Sequence, residues 1–152
     1  MATTKSLRRV EAAMERLARI GGSRKSSAFR AARAGVPLAG AAQQVLRGVF
    51  DHAPVRISDL ARMSNMSDAA VSRLVTQLEA EALVVREACA EDGRVARVRP
   101  TRSGMKARNR LRDAADAIFR EHLAQWQAKD LERVAELMER LGDDLAGRPS
   151  SV

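Results

Sequence analysis

Residues 57 to 80 carry the pattern of two short helices joined by a sharp turn, and this pattern constrains the fold more than any other feature. The first helix is predicted to end near Ser64. Asn65 follows where the chain must turn, and Asn tolerates a positive φ better than most residues. Ser67 is then well suited to cap a second helix. The segment therefore predicts a helix-turn-helix motif.

The second helix of this motif is predicted to have two chemically different faces. One face is apolar at helical spacing and is expected to point into the core; it consists of Val71, Leu74, Val75 and Leu78. The opposite face carries small or hydrogen-bonding side chains: Ala69, Ser72, Arg73, Thr76 and Gln77. Such a face suits the major groove of DNA. We predict that these five residues, with Ser67 at the helix N-terminus, contact DNA.

A basic hairpin is predicted directly after the second helix. Residues 83 to 87 have strand character, and Glu91-Asp92-Gly93 is a turn signal. Residues 94 to 99 alternate basic and apolar side chains, as a returning strand does. Two helices followed by a hairpin make a winged helix.

Longer helical segments flank this module. Helices are predicted over residues 5–20, 40–51, 101 to 126 or 127, and 130–145, with a short strand at 55–57. Residues 23–35 are either a short helix or a connection. Thr101 is the predicted N-cap of the long helix. Because the terminal helices carry apolar stripes that a small module cannot bury, we expect a second copy to cover them, in a two-fold dimer with two recognition helices about one DNA turn apart.

The charge balance favours a polyanionic partner. The chain has 27 Lys and Arg against 19 Asp and Glu, a formal net charge of +8. This alone argues only for nonspecific attraction to nucleic acid. One cysteine excludes an intramolecular disulfide framework, and no stretch approaches the length of a membrane span. The expected location is the cytoplasm.

The order of elements and the local motifs resemble the MarR family of bacterial transcriptional regulators. The resemblance covers roughly residues 38–145. The matching motifs are Leu60-Ala61, Val71-Ser72-Arg73-Leu74-Val75, Leu83-Val84 with Arg86, Asp92-Gly93-Arg94 as the family's Asp-x-Arg wing signature, and Thr101 with Gly104 as its Thr-x-x-Gly.

Two positions depart from the family pattern. Ala82 stands where the family usually has Gly, at the end of the second helix. Because Ala adopts positive φ less readily, we expect this corner to be shaped differently. Pro100 replaces the usual Leu before Thr101, which removes a hydrogen-bond donor at the strand end.

The resemblance implies a mainly α fold with a small β wing. It implies one MarR-like domain over residues 1–152, with a winged helix-turn-helix at 40–100, a recognition helix at about 67–80 and a wing at about 84–99. Residues 1–38 and 101–146 would supply dimerisation helices and a connection. The implied function is a homodimeric, sequence-specific regulator, most simply a repressor that binds a pseudo-palindromic operator and is released by a small ligand.

Three wing residues join the candidate DNA contacts through this resemblance. Arg94 is expected to enter the minor groove. Asp92 is expected to hold Arg94 or Arg86 by a charge-assisted hydrogen bond, unless it serves turn chemistry alone. Arg86 is the third.

Two other functions stay open at this point: an architectural DNA-binding protein of low specificity, and a repressor that senses oxidants through Cys89. An enzyme is not expected, because no nucleophile–base pair, phosphate-cradling glycine loop or pair of carboxylates in a pocket context is evident. His52 and His122 are too sparse to predict a metal site. We expect no cofactor, and ligand-binding residues are not identified.

Overall fold

The computed structural model describes residues 3–88 and 96–147. Within them the chain forms seven helices and a three-stranded sheet. The helices are α1 (Thr4–Gly21), α2 (Arg24–Ala34), α3 (Gly40–His52), α4 (Ile57–Ser64), α5 (Asp68–Ala80), α6 (Arg102–His122) and α7 (Ala128–Leu145); the strands are β1 (Val55–Arg56), β2 (Val84–Ala88) and β3 (Ala96–Pro100). The predicted fold class, mainly α with a small β wing, is confirmed.

The helix-turn-helix of α4 and α5 forms as its turn residues predict. Asn65 follows α4 in the left-handed conformation, with φ 54° and ψ 41°. The Ser67 hydroxyl accepts a hydrogen bond of 3.2 Å from the backbone N–H of Ala70, which is the predicted N-cap. The turn and the cap therefore fix where α5 begins.

The corner after α5 differs from our expectation for an alanine. Ala82 adopts the left-handed conformation, with φ 54°. The N–H of Leu83 donates to the carbonyl of Leu78 at 2.8 Å, and the N–H of Ala82 donates to the carbonyl of Glu79 at 2.9 Å. These bonds satisfy the last carbonyls of the helix and hold Ala82 in a conformation that glycine adopts more easily. The prediction of a differently shaped corner was wrong.

The sheet is antiparallel, with strand order β1-β3-β2. β1 pairs with β3 through Val55 and Val98, and β2 pairs with β3 from Val84 opposite Pro100 to Ala88 opposite Ala96. Pro100 thus lies at the end of the ladder, where a missing N–H costs least. The paired strands carry the base of the wing.

One apolar core joins α3, α4, α5 and the sheet. Its most deeply buried side chains are Val45, Leu46, Val49, Leu60, Val71, Val75, Leu78, Val84 and Val98. Ala107 and Leu111 of α6 belong to the same cluster. The inward face predicted for α5 is confirmed, with Leu74 partly buried beside the three fully buried positions.

The structure settles one alternative that the sequence left open and moves two helix boundaries. Residues 24–34 form a helix, which settles the open choice for residues 23–35. The long helix ends at His122 and not at 126 or 127, because the N–H of Trp126 bonds to the carbonyl of Leu123 in a tight turn. No Gly or Pro marks this turn. α7 begins at Ala128, two residues before the predicted start.

The chain divides into two compact units, residues 1–116 and 117–152. The first unit contains α1 to α5, the sheet and α6 as far as Asp116. The second contains the end of α6 and α7. This division was not predicted.

Candidate nucleic-acid interface

The face of α5 predicted to contact DNA lies at the surface. Ala69, Arg73, Thr76 and Gln77 are exposed, and Ser72 is half-buried. Ser67 is exposed while it caps the helix. The core holds α5 through the opposite side, so no core contact is lost when these polar side chains engage another molecule.

Arg86 connects β2 to the polar face of α5. One of its terminal nitrogens donates to the carbonyl of Ser72 at 3.1 Å and to the hydroxyl of Thr76 at 3.0 Å. Its other terminal nitrogen lies 3.2 Å from a carboxylate oxygen of Glu79. A further bond runs from the backbone N–H of Arg86 to Glu79, also at 3.2 Å. Arg86 therefore ties the base of the wing to α5.

These contacts fix the orientation of Thr76. Its hydroxyl donates to the Ser72 carbonyl at 3.0 Å and accepts from Arg86. The hydroxyl hydrogen is thus committed, which leaves the oxygen as an acceptor. Farther along the helix, the amide of Gln77 donates to the carboxylate of Glu81 at 3.1 Å.

Glu79 is the residue at this surface that the sequence analysis missed. It lies on the same face of α5 as Thr76 and Ser72, three and seven residues farther along the helix. Its ion pair with Arg86 joins a helix to a strand. Helical spacing therefore predicts on which face of α5 Glu79 lies, but not that Arg86 is its partner. The helical spacing of Glu79 from Ser72 and Thr76 was the available signal.

The predicted wing-tip residues Asp92 and Arg94, and also Cys89, lie outside the described residues. The proposed pairing of Asp92 with Arg86 is therefore untested. Within the described residues, the carboxylate partner of Arg86 is Glu79.

The start of α6 is attached to the end of α5. The N–H of Gly104 donates to the Thr101 hydroxyl at 2.9 Å, which confirms Thr101 as the cap of α6. The N–H of Thr101 donates to the carbonyl of Leu83 at 3.0 Å. A Cβ at Gly104 would overlap that same carbonyl oxygen. The Thr-x-x-Gly motif thus allows two backbones to approach closely.

Two kinds of feature are absent from residues 3–88 and 96–147. None of the helices there combines the length and apolar character needed to cross a membrane. No group of three or more His, Cys, Asp or Glu residues there is placed to hold a metal ion.

Comparison with known proteins agrees with this architecture. The sequence model described as MarR family matches residues 35–95. A probable transcriptional regulator from Pseudomonas aeruginosa is similar in structure, with 27% identity, a TM-score of 0.60, and coverage of 76% of this chain and 86% of that chain. A search of curated proteins found no match.

Two structures of lower sequence identity share the fold over nearly the whole chain. The transcriptional regulator BldR from Sulfolobus solfataricus has 22% identity, a TM-score of 0.72, and coverage of 96% and 99%. A mutant of S. aureus MepR bound to an oligodeoxyribonucleotide has 17% identity, a TM-score of 0.59, and coverage of 95% and 99%.

The fold and the exposed face of α5 define a winged helix-turn-helix protein. The match over residues 35–95 makes this chain similar to the MarR family across its helix-turn-helix and the start of its wing. The similar structure at 27% identity is that of a probable transcriptional regulator.

Proposed function

We propose that this protein is a homodimeric transcriptional regulator that binds a pseudo-palindromic DNA operator, represses transcription and is released by a small ligand. The observation that carries the proposal is the division of α5 into a buried apolar face and an exposed polar face. A helix anchored on one side presents the other side to the major groove.

The direct contacts in this proposal come from α5 and the wing. Ala69, Ser72, Arg73, Thr76 and Gln77 face the bases, and the exposed guanidinium of Arg73 reaches a guanine or a phosphate. Ser67 presents the N-terminus of α5 to a phosphate. Asp92 and Arg94 belong to the wing contact. Arg86 acts chiefly by holding Thr76, since its guanidinium already contacts three groups of α5.

The dimer is supported by the apolar side chains at the surface of α1 and α7. On α1, Leu7, Val10, Met14, Leu17 and Ile20 are spaced three or four residues apart and are 41% to 59% exposed. On α7, Val134, Leu137, Met138 and Leu145 are 39% to 65% exposed. Burying such stripes against a second copy removes apolar surface from water at about 25 cal/mol per Å².

The test is fluorescence anisotropy of the purified protein with DNA from upstream of its own gene and with scrambled DNA of equal length. We expect at least about a thousandfold preference for the specific site. Arg73→Ala is expected to cost about 1 to 3 kcal/mol if Arg73 reads a base, or to reduce the salt slope by about one if it contacts phosphate. Arg133→Ala on α7 is the charge-matched control and should bind as wild type does.

Sedimentation equilibrium tests the dimer independently of DNA. Leu17→Glu places a charge on the α1 stripe and should shift the protein toward the monomer.

The anisotropy experiment also distinguishes the architectural alternative. Equal binding of all DNA with a steep salt slope and no effect of Arg73→Ala would favour that alternative.

A further inference from the structure

Four arginines of the first unit lie close enough for three of them to act electrostatically on the fourth, Arg108. They come from three helices: Arg30 from α2, Arg47 from α3, and Arg108 and Arg112 from α6. The guanidinium carbon of Arg108 lies 5.8 Å from the centre of the Phe50 ring, which joins α6 to α3. Arg30 donates to the side-chain oxygen of Gln43 at 3.4 Å, which joins α2 to the same helix.

The helical positions bring the cluster to one place. Gln43, Arg47 and Phe50 are spaced four and three residues apart and so share a face of α3. Arg108 and Arg112 are spaced four apart and share a face of α6. Contacts at Gln43 and Phe50 therefore place α2 and α6 along the side of α3 that carries Arg47.

The charges of this cluster are poorly balanced. The charged groups that act on Arg108 are three arginines and one carboxylate, Asp51, so with Arg108 itself the positive charges outnumber the negative by three. None of the four arginines forms an ion pair of 4 Å or less within the described residues. Like charges held together at a partly buried site destabilise the fold unless an anion neutralises them.

Arg108 shows the imbalance most clearly. Burial lowers the pKa of its guanidinium below the usual value; Asp51 raises it, and Arg47, Arg112 and Arg30 lower it further. Its Nε is buried and has no hydrogen-bond partner in the part of the chain that the structure describes. A buried N–H without an acceptor is uncommon and costs free energy. An incoming anion would supply the missing acceptor.

Space for a ligand adjoins the cluster. A cleft of about 350 Å³ lies between α3 and α4, and Arg47 and Asp51 are among its lining residues. Arg47 and Arg112 are exposed, whereas Arg30 and Arg108 are half-buried. The cluster is therefore open to solvent on one side and desolvated on the other.

We propose that Arg30, Arg47, Arg108 and Arg112 form a binding site for a multivalent oxyanion, specifically a phosphate group. A guanidinium pairs bidentately with phosphate oxygens, and several guanidinium groups together select for charge. An excess of three positive charges is better matched by a dianion than by a monocarboxylate. Inorganic phosphate and a phosphorylated small molecule both present this group.

Isothermal titration of the full-length protein at constant ionic strength tests the site. The probes are inorganic phosphate, the monoester phenyl phosphate, and acetate as a monovalent oxyanion. We expect saturable binding of both phosphates, with acetate at least about tenfold weaker. Tighter binding of phenyl phosphate assigns a phosphorylated molecule as the ligand; tighter binding of inorganic phosphate assigns the free ion.

Variants locate the binding. Arg108→Gln and Arg112→Gln are expected to weaken phosphate binding about tenfold or more, the size of one lost charged hydrogen bond. Arg112 is exposed, so its variant should fold even if Arg108→Gln does not. Arg133→Gln serves as the matched control and should retain wild-type affinity.

The proposal is overturned if phosphate binding is not saturable, if acetate binds as tightly, or if both variants bind phosphate as wild type does. It is also overturned if the variants keep phosphate affinity but weaken DNA binding, since the arginines would then contact the DNA backbone. Because the titration contains no DNA, its failure is distinguishable from failure of the proposed regulatory function.

Discussion

The hydroxyl of Thr101 donates a hydrogen bond of 2.6 Å to the carbonyl of Ala82, across 19 residues of sequence. The same oxygen accepts the N–H of Gly104 at 2.9 Å. One side chain thus caps α6 and holds Ala82 in the corner that follows α5. The first turn of the long helix and the corner after α5 are therefore a single hydrogen-bonded joint.

Removing this hydroxyl is expected to destabilise the protein. Thr101→Val keeps the shape of the side chain but loses both hydrogen bonds, and we expect a cost of about 1 to 2 kcal/mol in the free energy of unfolding. Urea denaturation followed by circular dichroism measures it. Thr101→Ser retains the hydroxyl and should lose much less. Equal stability of wild type and Thr101→Val would show that the joint contributes nothing.

Adding a methyl group at Gly104 is expected to damage the same joint by a different route. The new Cβ of Gly104→Ala would overlap the carbonyl oxygen of Leu83, so the two backbones must separate. We expect a loss of about 2 to 3 kcal/mol, as for overpacked sites. Gly142→Ala makes the same change in α7, where nothing lies within 4 Å, and should stabilise its helix by about 0.5 to 1 kcal/mol. In thermal denaturation we therefore expect a lower melting temperature for Gly104→Ala and a higher one for Gly142→Ala than for wild type.

The left-handed alanine offers a stabilising substitution. Ala82 has φ 54°, a conformation that costs L-residues other than Gly, Asn and Asp roughly 1 kcal/mol. We expect Ala82→Gly to raise the free energy of unfolding by about 0.5 to 1 kcal/mol, after the greater entropy of glycine in the unfolded chain is subtracted. Ala80→Gly, two residues earlier and still in α5, should lower it by a similar amount. If both variants destabilise, the corner is not strained.

The two arginines of the sheet that pair with glutamates are expected to differ in importance. Arg86 has a side chain only 31% exposed and contacts Glu79, Ser72 and Thr76. Arg99 pairs with Glu87 at 2.9 Å but is 52% exposed. We expect Arg86→Ala to cost about 1 to 2 kcal/mol of stability and Arg99→Ala less than about 0.5 kcal/mol, measured in parallel by denaturant unfolding. A larger effect at Arg99 would contradict this ranking.

Features set by local chemistry were predictable from the sequence. The turn at Asn65, the caps at Ser67 and Thr101, and the inward face of α5 each follow from the conformational preference of a residue or from helical spacing. The exposed candidates on α5 followed from the same periodicity. Each of these signals involves residues only a few positions apart in the sequence.

Features that depend on contacts between distant segments were not predictable. The partnership of Arg86 with Glu79 and Thr76 requires the position of β2 beside α5. The left-handed Ala82 was missed because intrinsic preference argued against it, while the hydrogen bonds around it and the Thr101 hydroxyl hold it in place. The arginine cluster joins residues 30 to 112, so no local pattern indicates it.

The separation of the two faces of α5 has a consequence for how such a protein diverges. Val71, Val75 and Leu78 are fully buried, so a change there disturbs the packing of several elements. Ala69 and Arg73 are exposed and hold no core contact, so substitutions there leave the fold intact. The chain can therefore acquire a new binding preference by single mutations without first acquiring extra stability.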